Sequence, residues 1–292
     1  RLENYNACPF EHFIRYGLGV EERQIHSFKA SDIGTLVHDM LEKCFRYAKS
    51  RDKKIAEMDE SALFALVDEA VSENMSSEKN SIFKESNKSK YQLEKIVRMT
   101  KLTMLVLSKQ LAAGNFEPKY FEKSFGESDN LEALNIELKN NAKMYLRGKI
   151  DRVDTYVDED ATLVKIIDYK TGNMKWELDM PFYGRALQLV IYLDAVMEQL
   201  TKEGKEVLPA AFFYYHIDEP FLTRDEAKKE NAFLSKLRPM GIVNTDLNII
   251  KHLDKRIETG SDVIPVLLKK DGSISKTSSV ASTDRINLLR KY

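Results

Sequence analysis

The sequence predicts a mixed α/β fold: a mixed β-sheet flanked by helices, with a helical insertion at residues 50–115. Three observations point there. Up to Ala113 the apolar residues recur with helical spacing, and no glycine or proline occurs from Arg51 to Ala113. After Pro118 the period shortens to that of strands. Beyond Pro181 a helix, a strand and further helices follow, so both element types share one core. A single domain over residues 1–292 is expected, although roughly 150 residues per domain would allow two.

The elements follow in order. Residues 8–18 suit a short helix, with Pro9 in its first turn, an apolar stripe of Phe10, Phe13 and Ile14, and Gly17 at its end. Residues 31–49 form a strong amphipathic helix: Ile33, Leu36, Val37, Met40, Leu41, Cys44 and Phe45 share one face, and Ser31 or Asp32 can cap it. Helices are expected at 60–74 and 91–113, with a polar loop at 76–90 between them; Gly114 and Pro118 end the run. Strands are expected at 120–125, 143–157 and 161–169, the last two joined by an acidic turn at 158–160. A second strong helix spans 182–200, and the apolar run 209–216 is a buried strand. Residues 223–259 have helical texture. A strand, a Lys-Asp-Gly turn and a Ser/Thr-rich stretch complete 264–283.

Composition excludes several classes. With 43% hydrophobic and 31% charged residues the chain is globular rather than disordered. Its 45 basic and 46 acidic residues exclude a histone-like protein, but not an enzyme that meets nucleic acid in a locally basic cleft. Two cysteines, Cys8 and Cys44, exclude a disulfide scaffold and a four-cysteine metal site made by this chain alone. No apolar run approaches the roughly 18 residues of a membrane span, and no secretory leader is legible, so a cytoplasmic location without a membrane partner is expected. The chain starts at Arg1, and its apolar periodicity continues into its last residues; a segment of a longer protein is expected. No phosphate-cradling Gly-rich loop with Lys-Ser/Thr occurs, so ATPase function is not expected of it.

The chemistry is concentrated in two strands, Gly148-Lys149-Ile150-Asp151-Arg152-Val153-Asp154 and Ile166-Ile167-Asp168-Tyr169-Lys170-Thr171-Gly172. Residues two apart share a strand face, so Asp168 and Lys170 point one way and Ile167 and Tyr169 the other. Pairing the strands brings Asp151 near Asp168. Two such carboxylates repel unless a cation lies between them, and their oxygens are hard ligands suited to Mg²⁺ or Mn²⁺. Asp-x-Lys alone is as readily a surface salt bridge, and Asp154 with Arg152 suits a structural ion pair. On the helix 31–49, His38 falls about 120° from the centre of the apolar stripe, where it can reach a shared metal or simply be a hydrogen-bonded edge residue. Gly34 bares the backbone one turn earlier. Gln188 and Tyr192 share a helix face, and can hold a phosphate or a base or merely pack on the sheet.

Taken in order, Gly34-x-x-x-His38, Gly148-x-Ile150-Asp151-Arg152-x-Asp154, Asp168-Tyr169-Lys170-Thr171-Gly172 and Gln188-x-x-x-Tyr192 resemble the RecB-type branch of the PD-(D/E)XK nucleases. The resemblance covers about residues 1–220. Within that branch, Cys8-Pro-Phe-x-x-Phe-x-x-Tyr16-Gly17-Leu18 and Ile264-Pro-Val-x-x-x-Lys270-Asp-Gly272 are similar to AddB-type subunits of bacterial AddAB helicase–nucleases. The resemblance implies a restriction-endonuclease-like core and Mg²⁺- or Mn²⁺-dependent hydrolysis of DNA. It implies that Asp151 and Asp168 hold the metal, with His38 and the Tyr169 carbonyl as further ligands and Glu122 as a weaker candidate. It implies that Lys170 orients or activates the attacking water and that Gln188 and Tyr192 position the strand. It also implies a single DNA strand fed by a helicase, an AddA-like partner subunit, and a bacterial, nucleoid-associated setting. In that family a cysteine before the nuclease domain joins three after it on a 4Fe–4S cluster. Only Cys8 matches, so the cluster is expected in a full-length parent and not in this chain, where Cys44 suits the core.

DNA-contacting patches are expected at residues 84–101 and 269–291, each with six basic and two acidic residues, although charge runs on helices are usually solvated faces. Two other readings stay open: a stand-alone RecB-like exonuclease, and a nuclease-fold scaffold without activity.

Overall fold

The computed structural model describes residues 2–20, 30–76, 83, 86–126, 134–137, 143–158, 161–172, 177, 179–184, 186–228 and 231–291. The chain opens with α1 (Leu2–Ala7) and α2 (Pro9–His12), followed by a π-helical turn at Phe13–Gly17. Three longer helices come next: α3 (Ala30–Ser50), α4 (Glu60–Ser76) and α5 (Asn87–Ala113), the last capped by the Ser86 hydroxyl. Then follow β1 (Glu117–Phe125), β2 (Leu134–Glu137), β3 (Lys143–Leu146), β4 (Gly148–Asp158) and β5 (Ala161–Lys170). The remainder is α6 (Leu187–Lys202), β6 (Glu206–His216), α7 (Ala232–Lys236), β7 (Met240–Asn244), α8 (Leu247–Leu253), β8 (Val280–Ala281) and α9 (Thr283–Lys291).

Six strands form one mixed sheet in the order β1-β4-β5-β6-β7-β8, and β2 pairs with β3 apart from it. β1, β4 and β5 are antiparallel neighbours; β5 and β6 are parallel and joined through α6, as a parallel pair requires a crossover. Alternation along the strands splits the core in two. Leu163, Ile167 and Tyr169 of β5, with Phe213 and Tyr215 of β6, face the layer of α3, α4 and α5. Val164 and Ile166, with Phe212 and Tyr214, face α6 and α9. The helices of the 50–115 region therefore share the core of α3; Leu63, Leu66, Val67 and Leu107 are buried with Met40, Leu41 and Cys44.

A charged group is buried inside the first layer. Arg152 donates to both oxygens of Asp154 at 2.6 and 2.7 Å and to the Tyr169 hydroxyl at 3.3 Å. Lys165 adds a contact to Asp154 at 2.9 Å, and the guanidinium lies 4.7 Å from the Phe45 ring centroid. The pair Arg152–Asp154 is structural, as its types suggested.

Several elements differ from expectation. The stretch 143–157 is two strands, because the chain changes partner at Arg147: β4 pairs with β1 up to Phe125↔Gly148, whereas β3 pairs with β2. An apolar alternation that crosses a partner switch carries no mark of it. The helix placed at 182–200 begins only at Leu187, because Gly184 and Ala186 take left-handed φ values of 69° and 55° after a short 3₁₀ turn. The region 223–259 contains β7 between two short helices; its five residues are too few to show a period. Residues 264–283 form isolated bridges, Gly260↔Leu267 and Leu268↔Ile274, before the two-residue β8. The stripe near the start does not face a core: Phe10 and Phe13 are exposed. Most of the expected loop 76–90, and residues 159 and 160 of the acidic turn, lie outside the described residues.

Candidate active site

The sheet brings the acids together at one end of β1, β4 and β5. The register Arg152↔Ile167 puts Asp151 beside Asp168. Asp151 Oδ2 accepts a hydrogen bond from the Tyr169 backbone N–H at 2.7 Å. The Tyr169 carbonyl oxygen lies 3.0 Å from Nε2 of His38, which α3 delivers from the layer above. Nδ1 of the same ring stands 3.4 Å from Asp151 Oδ1 and 3.6 Å from Glu122 Oε1. His38, Glu122 and Asp151 thus offer ligand atoms within 4.8 Å of one another, the one such group among the described residues.

Local backbone features make this convergence possible. β1 is paired with β4 through Phe121↔Arg152 and Lys123↔Ile150, which sets Glu122 across from Asp151. Glu122 itself has φ 45°, a left-handed value rare for a non-glycine residue and of the strained kind that gathers at functional sites. One turn before His38, a Cβ on Gly34 would lie 3.1 Å from the Thr171 hydroxyl, so the glycine lets α3 sit close to the end of β5.

Beside this group on β5, Lys170 stands 2.5 Å from Asp168 Oδ2, an ion contact without hydrogen-bond alignment; this buried oxygen has no directed donor. Lys170 donates to Gln188 Oε1 at 2.9 Å, and Gln188 Nε2 donates to the Tyr192 hydroxyl at 2.7 Å. The Gln188 backbone N–H donates to Glu3 Oε1 at 3.1 Å. α6 starts after Ala186 without a side-chain cap of its own, so Glu3 serves its first turn from the far end of the sequence.

Burial and mutual repulsion dominate the electrostatics. Asp168 is pushed up to about 7 by burial and by the Asp151 charge, against the pull of Lys170. For His38 burial works against the proton, but the carboxylates of Asp151 and Glu122 prevail and raise it to about 10. Burial opposes ionisation of Glu122 too, yet His38 and Lys149, whose ammonium is 2.6 Å away, hold it below its ordinary value.

The donor set is hard: carboxylate oxygens, a backbone carbonyl and one imidazole. With the undirected Asp168 oxygen beside it, this fits a divalent cation such as Mg²⁺ or Mn²⁺. A 4Fe–4S cluster does not fit these residues alone, since it takes four thiolates. Cys8 is half-buried, its sulfur 3.5 Å from the Glu11 N–H, whereas Cys44 is inside the core with its thiol pushed up to about 12 by burial.

Of the residues singled out in the sequence, His38, Asp151 and the Tyr169 carbonyl converge, and Asp168 stands next to them, facing Lys170. Lys170, Gln188 and Tyr192 form one hydrogen-bonded chain. Glu122, the weaker candidate, lies inside the tight group. Lys149 and Glu3 were missed. Alternation on β4 placed Lys149 on the face of Asp151, a usable signal; nothing local marked Glu3. The basic patches are partly neutralised: Lys101 pairs with Asp68, Arg98 with Glu219 and Arg290 with Asp194. Lys84 lies outside the described residues.

Residues 1–263 match the sequence profile of the PD-(D/E)XK nuclease superfamily. The chain belongs to that superfamily. Over its full length it is also 39% identical to the B subunit of the ATP-dependent helicase/deoxyribonuclease of Clostridium tetani (strain Massachusetts / E88). The proteins of that name in Thermoanaerobacter sp. (strain X514) and Acetivibrio thermocellus are 36% and 35% identical. The chain spans 26% of the length of each of these relatives. Among the described residues no helix is long and apolar enough to cross a membrane.

Proposed function

We propose that this chain is the nuclease domain of an AddB-type subunit and hydrolyses phosphodiester bonds of DNA with Mg²⁺ or Mn²⁺. The observation that carries this reading is the meeting of His38, Glu122, Asp151 and Asp168 with Lys170 at one end of the sheet. Asp151, Asp168, Glu122, His38 and the Tyr169 carbonyl would hold the cation. When bound, a divalent ion acidifies water and offsets charge on the phosphoryl oxygens.

The chain's own groups supply the rest. The Lys170 ammonium has three donors, one of them given to Gln188, while Asp168 lies in ion contact with it; a further donor suits an attacking water or a phosphate oxygen on which charge develops. Gln188 holds that ammonium in place, and Tyr192 fixes the Gln188 amide. Glu3 steadies the helix that carries both. Burial of Asp168 and Tyr192 excludes bulk water and strengthens each charge interaction.

The relatives' name, that of a helicase/deoxyribonuclease component, supports a setting beside an AddA-like motor subunit that feeds one DNA strand to the site during processing of double-strand ends. It supports a bacterial cytoplasmic, nucleoid-associated location as well. In the full-length protein Cys8 would join three thiols from outside this chain on a 4Fe–4S cluster.

Digestion of end-labelled single-stranded DNA, with Mg²⁺ and with EDTA, tests the reading. Cleavage should need the metal and fall by several orders of magnitude in Asp168→Ala and Lys170→Ala. Undiminished cleavage in either variant would refute the site assignment. Absence of both cleavage and Mn²⁺ binding would favour the inactive scaffold.

A further inference from the structure

A groove of about 700 Å³ is lined by Gln188 and Tyr192 and by none of the cation ligands, and its size is within the roughly 300–1,000 Å³ typical of small-ligand sites. Its lining combines Leu187 and Ile191 of α6 with Tyr145 and Arg147 from the β3–β4 junction. Gln188 and Tyr192 therefore belong both to the wall of this groove and to the chain that ends on Lys170.

Two lining residues have no structural task that explains them. The Tyr145 side chain is 60% exposed, a large aromatic ring left in solvent next to Leu146, which packs into the core behind it. Arg147 is exposed and has no acidic partner among the described residues. The one acid in the lining, Glu3, is already engaged by the Gln188 N–H. A stackable ring, a guanidinium and an apolar floor, continuous with the catalytic chain, are the elements that recognise a base, a phosphate and a sugar.

We propose that this groove holds one nucleotide of a single-stranded nucleic acid next to the scissile bond, with Tyr145 stacking on its base and Arg147 pairing with its phosphate. This rests on the nuclease reading above and adds a binding step to it. The groove would fix where the strand lies relative to Lys170, and so how far from the strand's end the cut falls.

Binding of a fluorescein-labelled oligothymidylate, followed by anisotropy in EDTA, tests the groove without any cleavage. Tyr145→Ala should weaken binding about tenfold or more, the loss expected for a base–aromatic stack, while Tyr145→Phe keeps it. On an oligonucleotide of abasic sites Tyr145→Ala should change little. Arg147→Ala should weaken binding and lower the slope of log K against log salt by about 0.7, one phosphate contact on a single strand, and Tyr145→Ala should leave that slope unchanged. Both side chains are exposed, so unchanged melting temperatures check the fold.

Variants that bind within twofold of the wild type with the same salt slope would overturn the proposal, and so would a wild-type chain that does not bind the oligonucleotide. The two readings fail separately. Metal-dependent cleavage with unaffected groove variants leaves the nuclease and removes the groove. Impaired binding in the variants, with no cleavage by the wild type, leaves the groove as a single-strand site and removes the nuclease.

Discussion

Replacing Gly148 with alanine adds one methyl group where the structure has no room. Backbone conformation is not the obstacle, since Gly148 is not among the glycines with positive φ. Space is: the new Cβ would lie 2.6 and 2.7 Å from Cε1 and Cζ of Phe125 and 3.3 Å from Cε1 of Tyr192. Carbon atoms settle at about 3.5–4.0 Å, so the Phe125 ring must retreat by about 1 Å. It is buried, and its edge packs on Tyr192 with ring centroids 5.9 Å apart. Overpacking of this kind costs about 1–3 kcal/mol in stability. The larger effect should be on chemistry, because Tyr192 anchors Gln188 and Gln188 anchors Lys170. A misplacement of about 1 Å near a reacting group is worth about 100-fold in rate. Gly148→Ala should therefore lower single-turnover cleavage of single-stranded DNA about 10- to 100-fold, with a destabilisation of about 1–3 kcal/mol in urea. Phe125→Leu makes room, so the double variant should recover more of both than the single changes predict when added. Wild-type rate and stability in Gly148→Ala, or strict additivity in the cycle, would refute the packing argument.

The remaining expectations concern the groups around that chain. Glu3→Ala should cost about 0.5–2 kcal/mol, as for a lost helix cap, and speed hydrogen exchange at the Gln188 amide, while Glu3→Gln keeps most of the protection. Exchange unchanged in Glu3→Ala would mean that α6 does not need this contact. Glu122→Gln should weaken Mn²⁺ binding, measured by calorimetry, by at least the roughly 10- to 100-fold that supporting groups cost at metal sites; equal affinity would place Glu122 outside the metal shell. Asp154→Ala should cost about 3–5 kcal/mol in urea unfolding, because Arg152 and Lys165 are left buried without their acid. Burial opposes the charge on Asp154, but Arg152 and Lys165 hold its carboxyl below the ordinary value. Its stabilisation is thus complete above the usual aspartate range and fades as pH falls towards the folded value; the variant should lose that part of the acid dependence.

The parts of the site that could be read in the sequence are those fixed by one strand's alternation or one helix's period. Asp168 and Lys170 share a face because they are two apart, and Gln188 and Tyr192 share one because they are four apart. What depends on pairing between distant segments was weaker. Glu122 reaches Asp151 only through the register of β1 on β4, which shifts between Pro118 and Tyr120, and through its own left-handed φ. Neither a bulge nor a positive φ on glutamate leaves a compositional trace. Glu3 lies 185 residues from its partner, beyond any local pattern. In the fold, β7 escaped because Met-Gly-Ile-Val-Asn is as compatible with a short helix, and only its neighbours β6 and β8 make it a strand.

Asp151 and Asp168 are register partners on β4 and β5 and so share a face of the sheet, and the Tyr169 peptide joins them to His38. Asp168 and Lys170 turn towards α6. Between them, the Tyr169 N–H donates to Asp151 and its carbonyl meets His38. The ring of the same residue enters the α3 layer, where Arg152 donates to its hydroxyl and the Tyr215 ring packs edge-on at 6.0 Å. A buried ion pair is a weak source of stability compared with apolar residues of the same volume. The group of Arg152, Asp154 and Lys165 therefore calls for a reason other than stability. Arg152 is held on both oxygens of Asp154 and against Phe45, so its Nη1 is a fixed donor at the Tyr169 hydroxyl. An apolar replacement would fill the space but leave the buried Tyr169 hydroxyl without this donor, and Tyr169 is the residue whose peptide meets both Asp151 and His38.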